Sequence, residues 1–209
     1  MRILGLIPAR GGSVRLPRKN LAHVGDRSLL AWAIKSAIGV VDDLVVSTDC
    51  PDIAKEAVSY GIRYIDRPKE LAEDHTPMLP VVRHAVSLYP TDAVVLLQPT
   101  SPFRTSNDVK EALKLFRYCE ADAVISVTQA PDDLVFEIGH AGRMRLAENT
   151  VVPNGAIYIV SSAALARGHD WYSGVTYAYR MPRDRSLDID TPIDLTMARA
   201  IAEKLSEAA

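Results

Sequence analysis

The sequence predicts an α/β fold in which a mostly parallel, twisted sheet lies between layers of helix. Three observations lead there. Short β-branched runs alternate with longer segments of helical period. Several of the short runs are apolar on both faces, as central parallel strands must be. No repeat or low-complexity linker interrupts the 209 residues, whose 48% hydrophobic content can bury one sizeable core. The expectation is a single domain over residues 1–209.

The strands are expected at Ile3 to Ile7, Asp43 to Ser47, Ile62 to Ile65, Ala93 to Leu97, Ala123 to Val127, Ala156 to Val160 and Thr176 to Tyr179. Between them, Leu29 to Ile38 has apolar spacing near the helical repeat, and Pro51 opens a second helix at a tolerated first-turn position. Met78 to Leu88 follows, and then Val109 to Phe116 behind a cap expected at Ser106. A last helix runs from Pro192 to about Leu205, with Thr191 as its candidate cap. Residues 129–153 break this rhythm with weak alternation and turn residues. They read as a short β-excursion from the main sheet.

Composition narrows the function. The formal charge is −2, so no global basic field points to nucleic acid or an anionic membrane, and any anion binding must be local. The two cysteines, Cys50 and Cys119, form no C-x-x-C pair, which suits a reducing compartment and argues against a zinc site or disulfide scaffold. Neither a signal peptide nor a membrane span is legible, and a soluble cytoplasmic protein is expected.

Local chemistry concentrates in three stretches. The first, "IPARGGSVRLPRKN" at residues 7–20, follows the first strand, and in an open parallel sheet that places it at the mouth where ligands bind. Gly11 and Gly12 allow close backbone approach and positive φ, and Arg10, Arg15, Arg18 and Lys19 supply charge. Phosphate is the natural guest. The loop is neither a P-loop nor a dinucleotide fingerprint, since it lacks both the Gly-Lys-Ser/Thr ending and G-x-G-x-x-G; a solvated basic turn is the plainer alternative.

The second stretch is "SLDIDTPID". If residues 188–190 are extended, Asp188 and Asp190 point to one side, as hard oxygen ligands for Mg²⁺ would. Alternatively Asp190 or Thr191 caps the last helix and Asp188 is solvated. Asp194, in the first helical turn, reads as structural. The third stretch, "LLQPTSPFR", sets Gln98, Thr100, Ser101 and Arg104 at the same mouth, or is an ordinary strand-to-helix turn.

With "STD" at Ser47 to Asp49, "RPKELAED" from Arg67, "NGAIYI" from Asn154 and "DIDTPIDL" from Asp188, these stretches follow the order and approximate spacing of the CMP-sialic acid synthetase group of cytidylyltransferases, which the chain resembles over nearly its whole length. The resemblance implies a three-layer nucleotidyltransferase (Rossmann-like) fold, a homodimer, and an enzyme that couples CTP to a 2-keto-3-deoxy sugar acid with Mg²⁺ and releases pyrophosphate. It implies that Arg10, Ser13 and Lys19 contact the CTP phosphates, with Gly11, Gly12 and Arg15 in the same loop, and that Asn20 and the backbone near Ala9 lie towards the cytidine. Asp188 and Asp190 would hold the metal and, with Arg10 and Lys19, carry catalysis. Gln98, Asn154 and Tyr158 would line the sugar pocket, Arg104 would support its loop, and Trp171 and Tyr172 would meet the acyl groups.

The chain departs from the family pattern in three places. Val14 and Arg15 stand where many members read Lys-Gly, and "SVRLPRK" resembles the related CMP-Kdo synthetases. The excursion at residues 129–153, which the resemblance implies lies at a dimer interface, is short, with Arg143 and Arg145 as partial substitutes for its basic residues. Residues 75–78 replace a hydroxyl-rich turn with His75, Thr76, Pro77 and Met78. Legionaminate, pseudaminate, Kdo or a phosphonate therefore stand beside sialic acid as acceptors, and a non-catalytic nucleotide-sugar-binding module is the alternative outside enzymes. None of His23, His75, His84, His140 or His169 falls in a ligand or triad pattern.

Overall fold

A computed structural model describes residues 1–130, 136–138, 144–146 and 150–207. The main sheet has seven strands: β1 (Ile3–Pro8), β4 (Asp43–Thr48), β5 (Arg63–Asp66), β6 (Ala93–Leu96), β7 (Ala123–Gln129), β10 (Val151–Ser161) and β11 (Thr176–Arg180). Their order across the sheet is β11-β7-β10-β6-β1-β4-β5. β10 runs antiparallel to both its neighbours, whereas the other pairs are parallel. Two ribbons complete the strands: β2 (His23–Val24) with β3 (Arg27–Ser28), and β8 (Phe136–Ile138) with β9 (Met144–Leu146).

Alternation along the strands separates two cores. Ile3 and Ile7 of β1 face α1 (Leu29–Ala37), α2 (Pro51–Ser59) and α4 (Ser106–Tyr118). Leu4 and Leu6 point the other way, towards α3 (Met78–Leu88) and α5 (Ser162–Ala166). A third cluster fastens α6 (Pro192–Glu207) beside the β2–β3 ribbon through Leu195, Ala198 and Val24. Helix starts follow side-chain chemistry. Thr105, not Ser106, caps α4, in a reciprocal capping box with Asp108. Thr191 and Asp194 form the same exchange at α6: Asp194 Oδ2 accepts from the Thr191 amide at 2.7 Å and the Asp190 amide at 3.0 Å.

The expected excursion of residues 129–153 is narrower than its sequence boundaries. Gln129 pairs with Val151, and Thr128 with Val152, so both ends belong to the main sheet. β8 and β9 form a separate antiparallel pair between them. Arg143 and His140, and the Arg145 side chain, lie outside the described residues.

Candidate active site

The carboxyl ends of β1, β4, β5 and β6 open on one side of the sheet, and the amino-terminal part of the antiparallel β10 joins them there. A cavity of about 550 Å³ occupies this mouth. Arg10, Ser13, Arg15, Lys19 and Asn20 line it together with Gln98, Thr100, Asp188 and Asp190. Loops 171 residues apart are thereby joined, for Lys19 Nζ donates to Asp190 Oδ1 at 2.9 Å. Arg15 Nη1 stands 3.5 Å from Asp190 Oδ2. The Asp190 carboxylate is therefore turned into the cavity, while capping falls to Thr191 and Asp194. With Asp190 44% exposed, its pair with Lys19 is worth only about 0–1 kcal/mol and is readily exchanged for another charged partner.

Asp188 lines the same cavity, and the protein around it is close enough that burial raises its carboxyl above the ordinary value. A hydrogen bond from Thr100 opposes that rise, and the Asp190 charge adds to it. The floor beneath it is Gly155, in the left-handed region at φ 76°. A methyl group there would sit 3.2 Å from both Asp188 Oδ2 and Gln98 Oε1. The carboxylate and the amide thus meet over a residue with no side chain.

A second ion pair secures the segment that carries these aspartates. The Asp108 carboxylate is fully buried and accepts from Arg185 Nη2 at 2.8 Å, Arg185 Nε at 3.1 Å and Tyr179 Oη at 3.1 Å. Burial alone would raise Asp108, but the hydrogen bonds from Arg185 and Thr105 outweigh it and hold the carboxyl below its ordinary value. The Ile189 amide then donates to the Thr100 carbonyl at 2.8 Å, tying residues 186–190 to the Gln98 loop.

Several residues expected in the site stand elsewhere. Gly11 and Gly12 do not have positive φ; the left-handed residue in this loop is Arg18, at φ 56°. Gly11 is required because a Cβ would lie 2.8 Å from Cys50 Cβ, and its amide already donates to Asp49 Oδ1 at 2.8 Å. Gly12 faces open space. Ala9 is buried and spends its amide on the Ser47 carbonyl, so Pro8 rather than Ala9 reaches the cavity. Arg10, by contrast, does line the cavity, where it is ion-paired with Asp74.

On the acceptor side, Asn154 lies under the cavity and does not line it. Its Oδ1 accepts from Ser126 Oγ at 2.6 Å and its Nδ2 donates to Ser186 Oγ at 2.9 Å, which occupies the amide within the fold. Arg104 is likewise buried, with Nη1 donating to the Ala156 carbonyl at 2.6 Å and the Gln98 carbonyl at 3.2 Å. Burial lowers it to about 9, which leaves it cationic near neutral pH. Trp171 is a core residue that meets Tyr158 edge-on, ring centroids 5.5 Å apart. Tyr158 and Tyr172 are hydrogen-bonded beside Asp188, and burial first, then those neighbours, pushes the Tyr158 hydroxyl up to about 12.

Arg67 is the main lining residue that the sequence reading did not assign. It is buried, donates from Nη2 to the Ser47 carbonyl at 2.7 Å, and is lowered by burial to about 10. Its signal was present: an arginine directly after a strand and before proline, in a loop that must open at the mouth. Asp74, His75 and Met78 close the same side. Among the described residues no group of three or more His, Cys, Asp or Glu could hold a metal, so the candidate donor set is the pair Asp188 and Asp190.

Relatives match the chain along its length. Residues 4–139 match the family described as cytidylyltransferase. The N-acylneuraminate cytidylyltransferase of Escherichia coli O18:K1:H7 is 33% identical over 97% of this chain but 52% of its own length. The CMP-N,N'-diacetyllegionaminic acid synthase of Legionella pneumophila is 32% identical over 100% of this chain and 99% of its own. The chain thus spans about half the length of the E. coli relative and nearly all of the Legionella one. A CMP:2-keto-3-deoxy-manno-octonic acid synthetase solved with CTP shares the fold, with a TM-score of 0.77 at 18% identity over 98% of this chain and 100% of that one. With the family model matching residues 4–139 and a relative 32% identical over nearly the whole of both chains, the chain belongs to the cytidylyltransferase family.

Proposed function

We propose that the chain transfers CMP from CTP to a 2-keto-3-deoxy sugar acid of the N-acylneuraminate type. The observation that carries this reading is that Arg10, Arg15 and Lys19 line one cavity with Asp188 and Asp190. The cations suit a triphosphate. The carboxylates have no use for an anion unless a cation comes with it. The pair fits Mg²⁺ in kind, since that ion takes one or two carboxylates and completes its shell with water and phosphate. Mutual repulsion between Asp188 and Asp190 is what a dication would relieve. When bound, Mg²⁺ would neutralise phosphate charge and make the attacking hydroxyl more acidic.

The chain's own groups do the positioning. Lys19 leaves Asp190 for a phosphate, and Arg10 and Arg15 share the remaining charge. The anomeric oxygen of the acceptor bonds to the α-phosphorus as the bond to the β-phosphate oxygen breaks. Pyrophosphate departs and the hydroxyl proton is lost to solvent. Gln98, Tyr158 and Tyr172 stand on the acceptor side of Asp188, where they orient the sugar acid for in-line attack. We take the working form to be a homodimer in a reducing cytoplasm, a setting in which the free Cys50 and Cys119 are stable.

The deciding assay is pyrophosphate release from CTP, ATP, GTP or UTP with Mg²⁺, each against N-acetylneuraminate, legionaminate, pseudaminate and Kdo. Release with CTP and one acid is expected. CTP binding without release for any acid would overturn the catalytic reading.

A further inference from the structure

The segment from Gln98 to Thr105 has two sides. Gln98, Pro99 and Thr100 face the cavity described above, whereas Pro102, Phe103, Arg104 and Thr105 line a second cavity of about 500 Å³. The walls of this second cavity are apolar: Trp32 and Phe103 meet edge-on with centroids 6.2 Å apart, and Ile201 and Leu205 of α6 lie opposite. Its charges are unbalanced. Arg27, Lys35, Arg104 and Arg185 line it against one carboxylate, Asp184.

Two of these cations are already satisfied. Arg27 is held by Asp26 through two hydrogen bonds, of 2.8 and 2.6 Å, while stacking 4.6 Å from the Trp32 ring centre. Arg185 is held by Asp108. The other two are not. Lys35 makes no hydrogen bond or close ion pair among the described residues and is exposed on α1. Arg104 is 3% exposed, and every acceptor it reaches is neutral: Ser36 Oγ at 3.0 Å and the Gln98 and Ala156 carbonyls. A guanidinium buried among neutral acceptors is costly to keep charged, and the Asp108 carboxylate, which supports Arg104 from a distance, is already held by Arg185. With Asp26 and Asp108 counted beside Asp184, one positive charge remains over an apolar floor.

We propose that this cavity is a second small-molecule site, separate from the nucleotide cavity, for an aromatic or bulky aliphatic carboxylate. The apolar body packs against Trp32 and Phe103, and the acid group supplies the missing negative charge between Lys35 and Arg104. Apolar walls with a few convergent polar groups are what small-molecule sites are made of. The proposal is independent of the reaction assigned to the first cavity.

The probe is 1-naphthoate, with 1-naphthalenemethanol as its uncharged counterpart, titrated into the full chain and followed through the two tryptophan indole N–H resonances. Saturable binding in the micromolar to low-millimolar range is expected, shifting the Trp32 signal and leaving Trp171 in place, with the alcohol about tenfold weaker. Lys35→Glu should weaken naphthoate about tenfold, and Asp184→Asn should tighten it by roughly half that factor. Both side chains are exposed, so both variants should fold. No saturation, equal binding of the alcohol, insensitivity to both substitutions, or a shift confined to Trp171 would each overturn the assignment.

Discussion

Residues 185–190 carry an ion pair at each end, and the two pairs sit in opposite surroundings. Asp108 is wholly buried and receives Arg185 bidentately together with Tyr179 and Thr105. Asp190 is 44% exposed and meets Lys19 through one hydrogen bond and Arg15 at longer range. In the first pair every lone pair of the acid is engaged by protein, so removing Arg185 strands a carboxylate away from water. In the second, water and ions reach both partners, and exchange costs little. The same chemical contact thus serves as an anchor where it is dry and as a replaceable link where it is wet.

The largest effect should come from the dry end. Arg185→Ala leaves the fully buried Asp108 carboxylate without its cation and should cost about 3–5 kcal/mol of stability, read by urea unfolding. Asp190→Ala, by contrast, should change stability by no more than about 1 kcal/mol. An equal loss in both variants would break the comparison and return Asp190 to a capping role. Next in size, Asp190→Ala should lower kcat/KM for CTP-dependent turnover about 10²–10³-fold while the fold persists. Smaller again, Lys19→Ala should weaken CTP binding about tenfold, the worth of one charge-assisted contact, and leave cytidine binding nearly unchanged. Equal losses for both ligands would remove Lys19 from the phosphates.

The mildest test uses pH. Asp108 is held below its ordinary value, so the stability it contributes is complete above the unfolded carboxylate pKa and is lost as pH falls through the lower folded value. Wild type should therefore lose stability in acid more steeply than Asp108→Asn over that window. Parallel curves would show that the anchor is not electrostatic.

Much of the sheet was legible because central strands need apolar residues on both faces, and the runs at Ile3, Ala93 and Ala123 have them. The direction of β10 was not, since hydrophobic pattern says nothing about which way a strand runs. The five residues of α5 are too few for a helical period to emerge. In the site, the cationic loop and the aspartate pair could be named from the sequence because both follow elements whose ends point to the mouth. Asn154 could not be oriented: the register of β10 shifts between Pro153 and Tyr158, and that irregularity decides which side chains turn inward. Asp108 and Arg185 are 77 positions apart, and only the fold brings them together.

Gly155 bears on how this pocket can diversify. A left-handed backbone costs an L side chain about 1–2 kcal/mol, and any Cβ here would also press on Asp188 and Gln98 together. If the proposed reaction holds, changes of acceptor preference are expected at His75 and Met78 of the lining or at Tyr172 beside Tyr158, and not at Gly155. In a library selected for a new sugar acid, position 155 should stay glycine while those three drift.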